Sequence, residues 1–351
     1  MRRPCSFDCP DGRALWNHTP LQRRYTSQMQ PVTIIATVLN EVEDITRLVP
    51  SLLAQDPPAS EVIIVDGGST DGTWEWMVEA AKGHPNFKPI RDESCNLKNC
   101  PGPVSRGRNV AIAAANSEVI ACADAGCTYA PEWLGRLTAP IMARSAIYAL
   151  GGACLDLTDP TMWDIVSAPF LGVKYSPTEP TKSCTARSMA FTKELWKRIG
   201  GFPESVLLGD DTLFDLEARR LTSPAFVDNA KALYRPQNTL ESARRQLARY
   251  ATSDGVLDVR RARLVRNASR CLLHVVAVLS IPWASFPFML VFPMQCWLAY
   301  HPDWSFLKTR GWRTIQARFG FSVMVPWIIT INHLQGLITK KEPGNSQNSQ
   351  S

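Results

Sequence analysis

Two runs of β-branched residues, VTIIATV (residues 32–38) and EVIIVD (61–66), constrain this chain more than any other feature. Neither alternates polar with apolar side chains, so each reads as a strand buried on both faces. Between them, residues 41–55 carry apolar residues at helical spacing, and Asp56, Pro57 and Pro58 stop that helix. GGST (67–70) then turns, and residues 71–82 form a helix that begins near a capping Asp71. FKPIR (87–91) is a weaker third strand, followed by a Pro/Gly/Asn-rich loop and a helix over 105–116. EVIACAD (118–124) is a fourth strand, and residues 131–145 form a helix with Pro near its start. Strand and helix alternate four times across short connections. The predicted class is therefore α/β, a mostly parallel sheet flanked by helices. Such sheets bind ligands outside the carboxyl ends of their strands, which directs attention to Asn40, Glu41, Asp66 and Asp124.

The rest of the chain is less regular. Residues 1–30 are polar, Arg-rich and aperiodic, and read as a flexible arm without the apolar core of a secretory signal. Residues 148–157 read as a strand near a bend, 158–187 as a loop or lid, and 188–202 as a helical segment ending at Gly200 and Gly201. Helices follow over 209–221 and 241–251. The ten cysteines lack the C-x-x-C spacing of a zinc site, and read as reduced, partly buried thiols in a reducing compartment. In that setting the N-x-T and N-x-S sequons at Asn17 and Asn267 carry no role. The turn after the first strand, TVLNEVED, has no glycine, and no G-x-x-x-x-G-K-[ST] occurs. This excludes a Rossmann dinucleotide site, a P-loop, and the Gly-rich loop of a nucleotidyltransferase.

Composition shifts after residue 255. Residues 271–300 contain no Asp, Glu, Lys or Arg, and 319–339 form a second, weaker apolar stretch. The first is long enough to span a bilayer. It is interrupted by Pro282, Pro287 and Pro293, and basic residues flank both stretches on every side. A two-span hairpin would place the middle basic group outside, against the positive-inside tendency. The favoured expectation is a re-entrant or interfacial region, residues 256–340, on the cytoplasmic face of the cell membrane, with a polar tail over 341–351; a single span and a buried core hairpin of a soluble protein are the alternatives. The net charge of +6 lies beside these apolar segments and is not interleaved with a stacking surface, so no nucleic-acid partner is expected.

Several side chains carry chemistry in this setting. Asp66, at a strand end before GGSTDGT, can accept from a base N–H or a ribose hydroxyl, or can close an Asx turn. Asp124, in CADAGC, can meet a diphosphate through a divalent cation, since Mg²⁺ is typically held by one or two carboxylates plus phosphate oxygens. Asp210 and Asp211 can cap a helix, or one of them can serve as a general base whose pKa the other raises. Gln246, Arg249 and Tyr250 form Q-x-x-R-Y on a basic helix, where Arg can hold a diphosphate and Tyr can stack on a ring; a helix lying over anionic lipid explains the same charges.

The order of VTIIATVLNEVEDI, EVIIVDGGSTDGT, SRGRNVAIAAA, EVIACADAGC, SMAFTKELWKRIGGF, GDD and QLARY resembles the family 2 glycosyltransferases over about residues 31–250. That resemblance implies a GT-A domain over 31–255, an inverting hexosyltransferase-like activity, and a role in polysaccharide or glycolipid synthesis. It places Thr37, Asn40 and Glu41 beside the base and ribose, Asp66 on the base, and Arg108 and Asn109 along the nucleotide site. Asp124 matches the first Asp of D-x-D and is the implied ligand of Mg²⁺ or Mn²⁺. Asp211 matches the catalytic base of the E-D motif, with Asp210 beside it. Gln246, Arg249 and Tyr250 match Q-x-x-R-W. The chain departs from the family where Gly126 replaces the second D-x-D carboxylate, Asp210 replaces Glu, and Tyr250 replaces Trp. The implied partners are a nucleoside-diphosphate sugar, a glycan or lipid-linked hydroxyl acceptor, and a membrane contacted through 271–300 and 319–339. The alternative is a membrane protein that binds a nucleotide sugar without transferring it.

Overall fold

A computed structural model describes residues 30–175, 185–236, 239–280 and 304–340. The arm before residue 30, the polar tail, residues 281–300 of the first apolar stretch and 176–184 of the expected lid lie outside the described residues.

The first half follows the strand–helix alternation. In chain order it comprises β1 (Val32–Val38), α1 (Val42–Leu53), β2 (Glu61–Asp66), α2 (Thr73–Lys82), β3 (Phe87–Arg91), α3 (Pro103–Ala114), β4 (Val119–Cys122), β5 (Cys127–Thr128) and α4 (Trp133–Met142). The second half contributes β6 (Tyr148–Leu150), β7 (Ala153–Leu155), α5 (Met162–Ser167), β8 (Met189–Thr192), α6 (Lys193–Ile199) and α7 (Asp210–Leu221). It ends with β9 (Ala225–Phe226), β10 (Ala232–Tyr234), α8 (Leu240–Val256), α9 (Arg261–Ser280), α10 (Trp304–Leu307) and α11 (Trp312–Lys340).

Seven strands form one sheet in the order β3-β2-β1-β4-β8-β6-β9, and β5, β10 and β7 form a second. β1, β2, β3 and β4 are mutually parallel, with Val38 level with Asp66 and Asp66 level with Arg91. Their side chains divide between two cores, as continuous apolar strands require. Ile34, Ala36, Val62, Ile64, Val119 and Ala121 face the core that holds Ile45, Leu48 and Leu52 of α1 and Trp133 and Leu137 of α4. Ile35, Ile63, Val65, Ile120 and Cys122 face the core under Ala111 and Ile112 of α3, Leu195 of α6 and Phe214 of α7. All eleven strand residues are at most 1% exposed, so a polar substitution at any of them lacks a water-facing escape.

Three segments differ from the sequence expectation. The 158–187 segment, expected as loop or lid, holds α5, which the capping box of Thr161 and Asp164 starts, and a 3-10 turn over Ala168–Leu171. Residues 188–202 are not one helical segment: β8 runs antiparallel between β4 and β6, and α6 begins only after Thr192, whose side chain accepts the Leu195 N–H. Met189, Ala190 and Phe191 are buried on both faces, so sheet pairing overrides the helical spacing they share with 193–199. The strand expected over 148–157 is two strands in different sheets, divided at Gly151 and Gly152, where a Cβ on Gly151 would stand 1.7 Å from the Ala230 carbonyl oxygen.

The C-terminal helix is packed onto this platform. Arg318 of α11 is buried, donates to the Val166 carbonyl at 2.9 Å and lies 4.5 Å from the Phe170 ring centroid. Phe321 meets Phe170 and Trp163 edge-on. α8 and α11 cross so closely that a Cβ on Gly255 would stand 2.1 Å from the His333 carbonyl oxygen, and one on Gly336 would stand 2.2 Å from that of Thr252. Packing is thus continuous across residue 255, where the composition changes. Residues 312–339 are long and apolar enough to cross a membrane by length and composition alone.

Candidate functional site

The loops that leave β1 and β2 are tied to each other. Asn40, at φ +56°, occupies the left-handed region that Asn tolerates better than most residues. Its Oδ1 accepts the Thr70 N–H at 2.9 Å, and its own N–H donates to Ser69 Oγ at 2.8 Å. The Glu41 N–H donates to Thr73 Oγ1, and the Val42 N–H to Asp71 Oδ2, both at 3.0 Å. Asp71 also accepts the Thr73 N–H, although the residue that opens α2 is Gly72. Half-buried Glu41 is pushed up to about 7, first by burial and then by the Asp44 and Asp71 carboxylates nearby. Thr37 lies under α3, close enough that a Cβ on Gly107 would stand 2.6 Å from its Cγ2.

Asp66 is fully buried. Its carboxylate accepts from Gly68 N at 3.2 Å, from Ser69 N at 3.1 and 3.2 Å, and from the Ser69 hydroxyl, with Arg91 Nε at 4.0 Å. These bonds close the Asx turn and hold the glycine loop against the β1 loop. Asn109 is likewise engaged with protein: Nδ2 donates to the Phe202 carbonyl and Glu204 Oε1, and Oδ1 accepts from Trp196 Nε1 and Phe202 N. Its side chain clamps residues 202–204 to α3.

The acidic residues meet at Arg108. The guanidinium, 5% exposed, donates from Nη2 to Asp124 Oδ1 at 2.7 Å and from Nη1 to Asp210 Oδ2. Burial raises the pKa of Asp210, with Asp211 and Asp124 adding to the rise and Arg108 opposing it; Arg108 is itself raised by these carboxylates against its own burial. Asp211, the less buried of the adjacent pair, accepts the Ala186 N–H on Oδ2 at 3.3 Å.

A 3-10 turn over Ala186–Ser188 joins this group to the Q-x-x-R-Y helix. The Asp124 N–H donates to the Tyr129 hydroxyl at 3.0 Å, and that hydroxyl donates to the Arg187 carbonyl at 2.9 Å. The Arg187 side chain lies 4.1 Å from the Tyr234 ring centroid and donates to the Tyr250 hydroxyl at 3.1 Å. Gln246 Nε2 donates to the hydroxyls of Tyr234 at 2.9 Å and Tyr250 at 3.2 Å. Arg249 is exposed and makes no hydrogen bond or ion pair among the described residues. Asp124, Arg108, Asp210, Asp211, Gln246 and Tyr250 therefore share one end of the sheet, while Thr37, Asn40, Glu41 and Asp66 shape the neighbouring loops. Tyr129, Arg187 and Tyr234 join the site without having been singled out in sequence. Arg187 falls in a segment that reads only as loop, and no motif marks it.

The Gly126 departure has a local cause. Its φ is +71°, a conformation that favours glycine, and a Cβ there would stand 3.8 Å from Asp44 Oδ2 and 3.7 Å from Tyr234 Cε2. A second carboxylate at 126 would be strained and would face a like charge. Among the described residues, no group of three or more His, Cys, Asp or Glu is placed to hold a metal. The donor set that remains, Asp124 with one oxygen on Arg108, fits Mg²⁺ or Mn²⁺ only where phosphate oxygens complete the shell.

This geometry, a mostly parallel α/β sheet with an acidic cluster at its carboxyl end, defines a GT-A fold. Residues 33–156 match the family model described as glycosyl transferase family 2. It is 27% identical to Glycosyltransferase AglE of Haloferax volcanii over 195 residues, which is 53% of this chain and 60% of that protein. It is 36% identical to the Succinoglycan biosynthesis protein ExoU of Rhizobium meliloti over 106 residues, 30% of this chain and 29% of that protein. The chain thus spans less than two thirds of either relative. Among solved structures, the mannosyltransferase PcManGT from Pyrobaculum calidifontis, in complex with GDP-Man and Mn²⁺, superposes with a TM-score of 0.54 at 18% identity. That match covers 90% of this chain and 89% of the other, and at this identity it speaks to fold.

Proposed function

We propose that this chain transfers a glycosyl group from a nucleoside-diphosphate sugar to a hydroxyl of a glycan or lipid-linked acceptor, with inversion, as a hexosyltransferase of polysaccharide or glycolipid synthesis. The observation that carries this is the division of labour between adjacent carboxylates. Asp210 is buried against Arg108, whereas Asp211 borders the 186–188 turn that leads through Tyr129 to Asp124. Asp211 is then the general base: it takes the acceptor proton as the hydroxyl attacks the anomeric carbon, and the nucleoside diphosphate departs from the opposite face. The β1 and β2 loops, with Thr37, Asn40 and Glu41, border the nucleoside. Asp66 acts there through the turn it holds, and Arg108 and Asn109 support the acids and the 202–204 segment. Asp124 would hold a divalent cation jointly with the diphosphate, and that cation, when bound, neutralises charge on the leaving group. The GDP-Man and Mn²⁺ in PcManGT support this donor class.

The domain layout proposed is a GT-A platform over 31–255 followed by a membrane-associated region over 256–340, on the cytoplasmic face of the cell membrane. Val265, Leu272, Val276 and Leu279 of α9, and Trp327, Ile331, Leu334 and Ile338 of α11, are exposed. Arg266 and Arg270 lie beside the first group, as in an interfacial helix over anionic lipid.

The test is nucleoside-diphosphate release from a panel of nucleotide sugars with a candidate acceptor. Asp211→Asn lowers kcat by roughly 10²–10⁴-fold while donor binding persists. Turnover near wild type in that variant removes Asp211 from the role. Donor retention by the wild-type protein with no release in any acceptor mixture favours a binder over a transferase.

A further inference from the structure

Two arginines stand beside the acidic cluster, and their charges are disposed of differently. Arg108 is spent inside the protein, bonded to both Asp124 and Asp210. Arg187 makes no ion pair with a carboxylate among the described residues; its side-chain partners there are the face of Tyr234 and the hydroxyl of Tyr250. A guanidinium stacked on one aromatic ring and bonded to a neutral hydroxyl keeps its charge and most of its five donors for another acceptor. The side chains around it fix its position. Gln246 bonds both tyrosine hydroxyls, and its Oε1 is a buried acceptor with no partner among the described residues. The backbone of the same turn touches both acids: Ala186 N–H bonds Asp211, and the Arg187 carbonyl is one tyrosine hydroxyl from Asp124.

A guanidinium with no carboxylate partner among the described residues, on a turn whose backbone reaches both Asp211 and Asp124, is placed for an anion that arrives with the substrate. Resting on the proposed transferase function, we propose that Arg187 binds the diphosphate of the nucleotide-sugar donor, held in place by Tyr234, Tyr250 and Gln246. Exposed Arg249, which the sequence motif indicates for this task, is not the main diphosphate contact. Arg187 also compensates for the carboxylate lost at Gly126, because the diphosphate is gripped directly and depends less on a metal bridge. The planar guanidinium suits paired bonds to phosphate oxygens.

The experiment is calorimetric titration of the full chain with the nucleoside di- and monophosphates of guanine, uracil, adenine and thymine. The wild-type protein binds one diphosphate more tightly than its monophosphate. Arg187→Gln lowers that preference roughly ten- to a hundredfold and leaves monophosphate affinity unchanged, the scale of a lost charged hydrogen bond. Arg249→Gln leaves the preference within about twofold. Tyr250→Phe, which removes only the hydroxyl that steadies the guanidinium, gives a smaller loss, and it decides the matter if Arg187→Gln does not fold. Full diphosphate preference in a folded Arg187→Gln protein, or in Tyr250→Phe where that is the usable variant, overturns the assignment to Arg187 alone. A wild-type protein that binds none of the eight nucleotides overturns the transferase function itself.

Discussion

Replacing Arg108 by Met tests the organisation of the acidic cluster most severely. The guanidinium is 5% exposed, and the Asp210 and Asp124 side chains it bridges are 11% and 28% exposed. Met keeps much of the volume and removes the charge, leaving two carboxylates, with Asp211 beside them, to face one another in a poorly hydrated space. Breaking a buried pair from one side typically costs about 3–5 kcal/mol. Partial solvation of Asp124 places this case at the lower end, near ~3 kcal/mol. At ~2–4 °C per kcal/mol for a domain of this order, Tm falls by about 6–12 °C. The assay is chemical denaturation at pH 7.5, repeated at lower pH. Asp210 already binds its proton more tightly than an ordinary carboxylate. Without Arg108 it does so still more, so the folded state takes up protons that the unfolded state releases. The variant's deficit therefore shrinks as pH falls and grows as pH rises. Adding Asp210→Asn to Arg108→Met restores most of the loss, because the second change removes the stranded charge. A deficit below about 1 kcal/mol at pH 7.5, or no recovery in the double variant, would mean that Arg108 does not hold these acids together.

Three further expectations follow from the same geometry. Glu41, raised to about 7 in the folded state, favours the protonated form; the stability it contributes is complete below its unfolded pKa and is lost as pH rises through about 7, so the gap between Glu41→Gln and wild type in denaturation midpoint widens from pH 4.5 to 7 and then levels. A pH-independent gap would remove Glu41 as the titrating group. Calorimetry with Mn²⁺ alone shows no specific binding, because Asp124 is a single carboxylate already shared with Arg108, whereas Mn²⁺ binds once a nucleoside diphosphate is present; tight binding of Mn²⁺ alone would reveal a fuller ligand set. In vesicle flotation the chain associates with phosphatidylglycerol-containing bilayers at low salt, and Arg266→Glu with Arg270→Glu weakens this about tenfold or more, at ~1 kcal/mol per basic residue. Binding that is indifferent to both lipid charge and these substitutions would argue against an interfacial α9.

The first four strands were legible because their physics is local and periodic. VTIIATV and EVIIVD appear as β1 and β2 with the expected bounds, since a continuous β-branched run has few alternatives to a two-sided strand; FKPIR, half-exposed with one β-branched residue, appears as β3 at the sheet edge. β8 was not legible. Its four residues run into a helix with overlapping apolar spacing, and only pairing with β4 and β6 decides their state. The site divided along the same line. Motif order directed attention to Asp124, Asp210, Asp211, Gln246 and Tyr250, which the fold brings to one end of the sheet. The buried commitments of Asp66 to its own turn and of Asn109 to residues 202–204 depend on neighbours distant in sequence or on burial. Arg187 stands one residue before the SMAFTKELWKRIGGF segment, and its place in the site follows only from the fold, where the 186–188 turn touches Asp211 and Tyr129 together. Gly126 is intermediate: the missing carboxylate is plain in the sequence, but its cause, a positive φ beside Asp44, is not.

Proton NMR of the sugar transferred by the wild-type protein, followed from the first turnover, tests most directly whether one cleft binds and transfers an activated sugar by single displacement. A product whose anomeric configuration is opposite to the donor's, with one nucleoside diphosphate released per sugar, is the predicted result. Retained configuration, or release of the nucleotide without transfer to any hydroxyl, would contradict it.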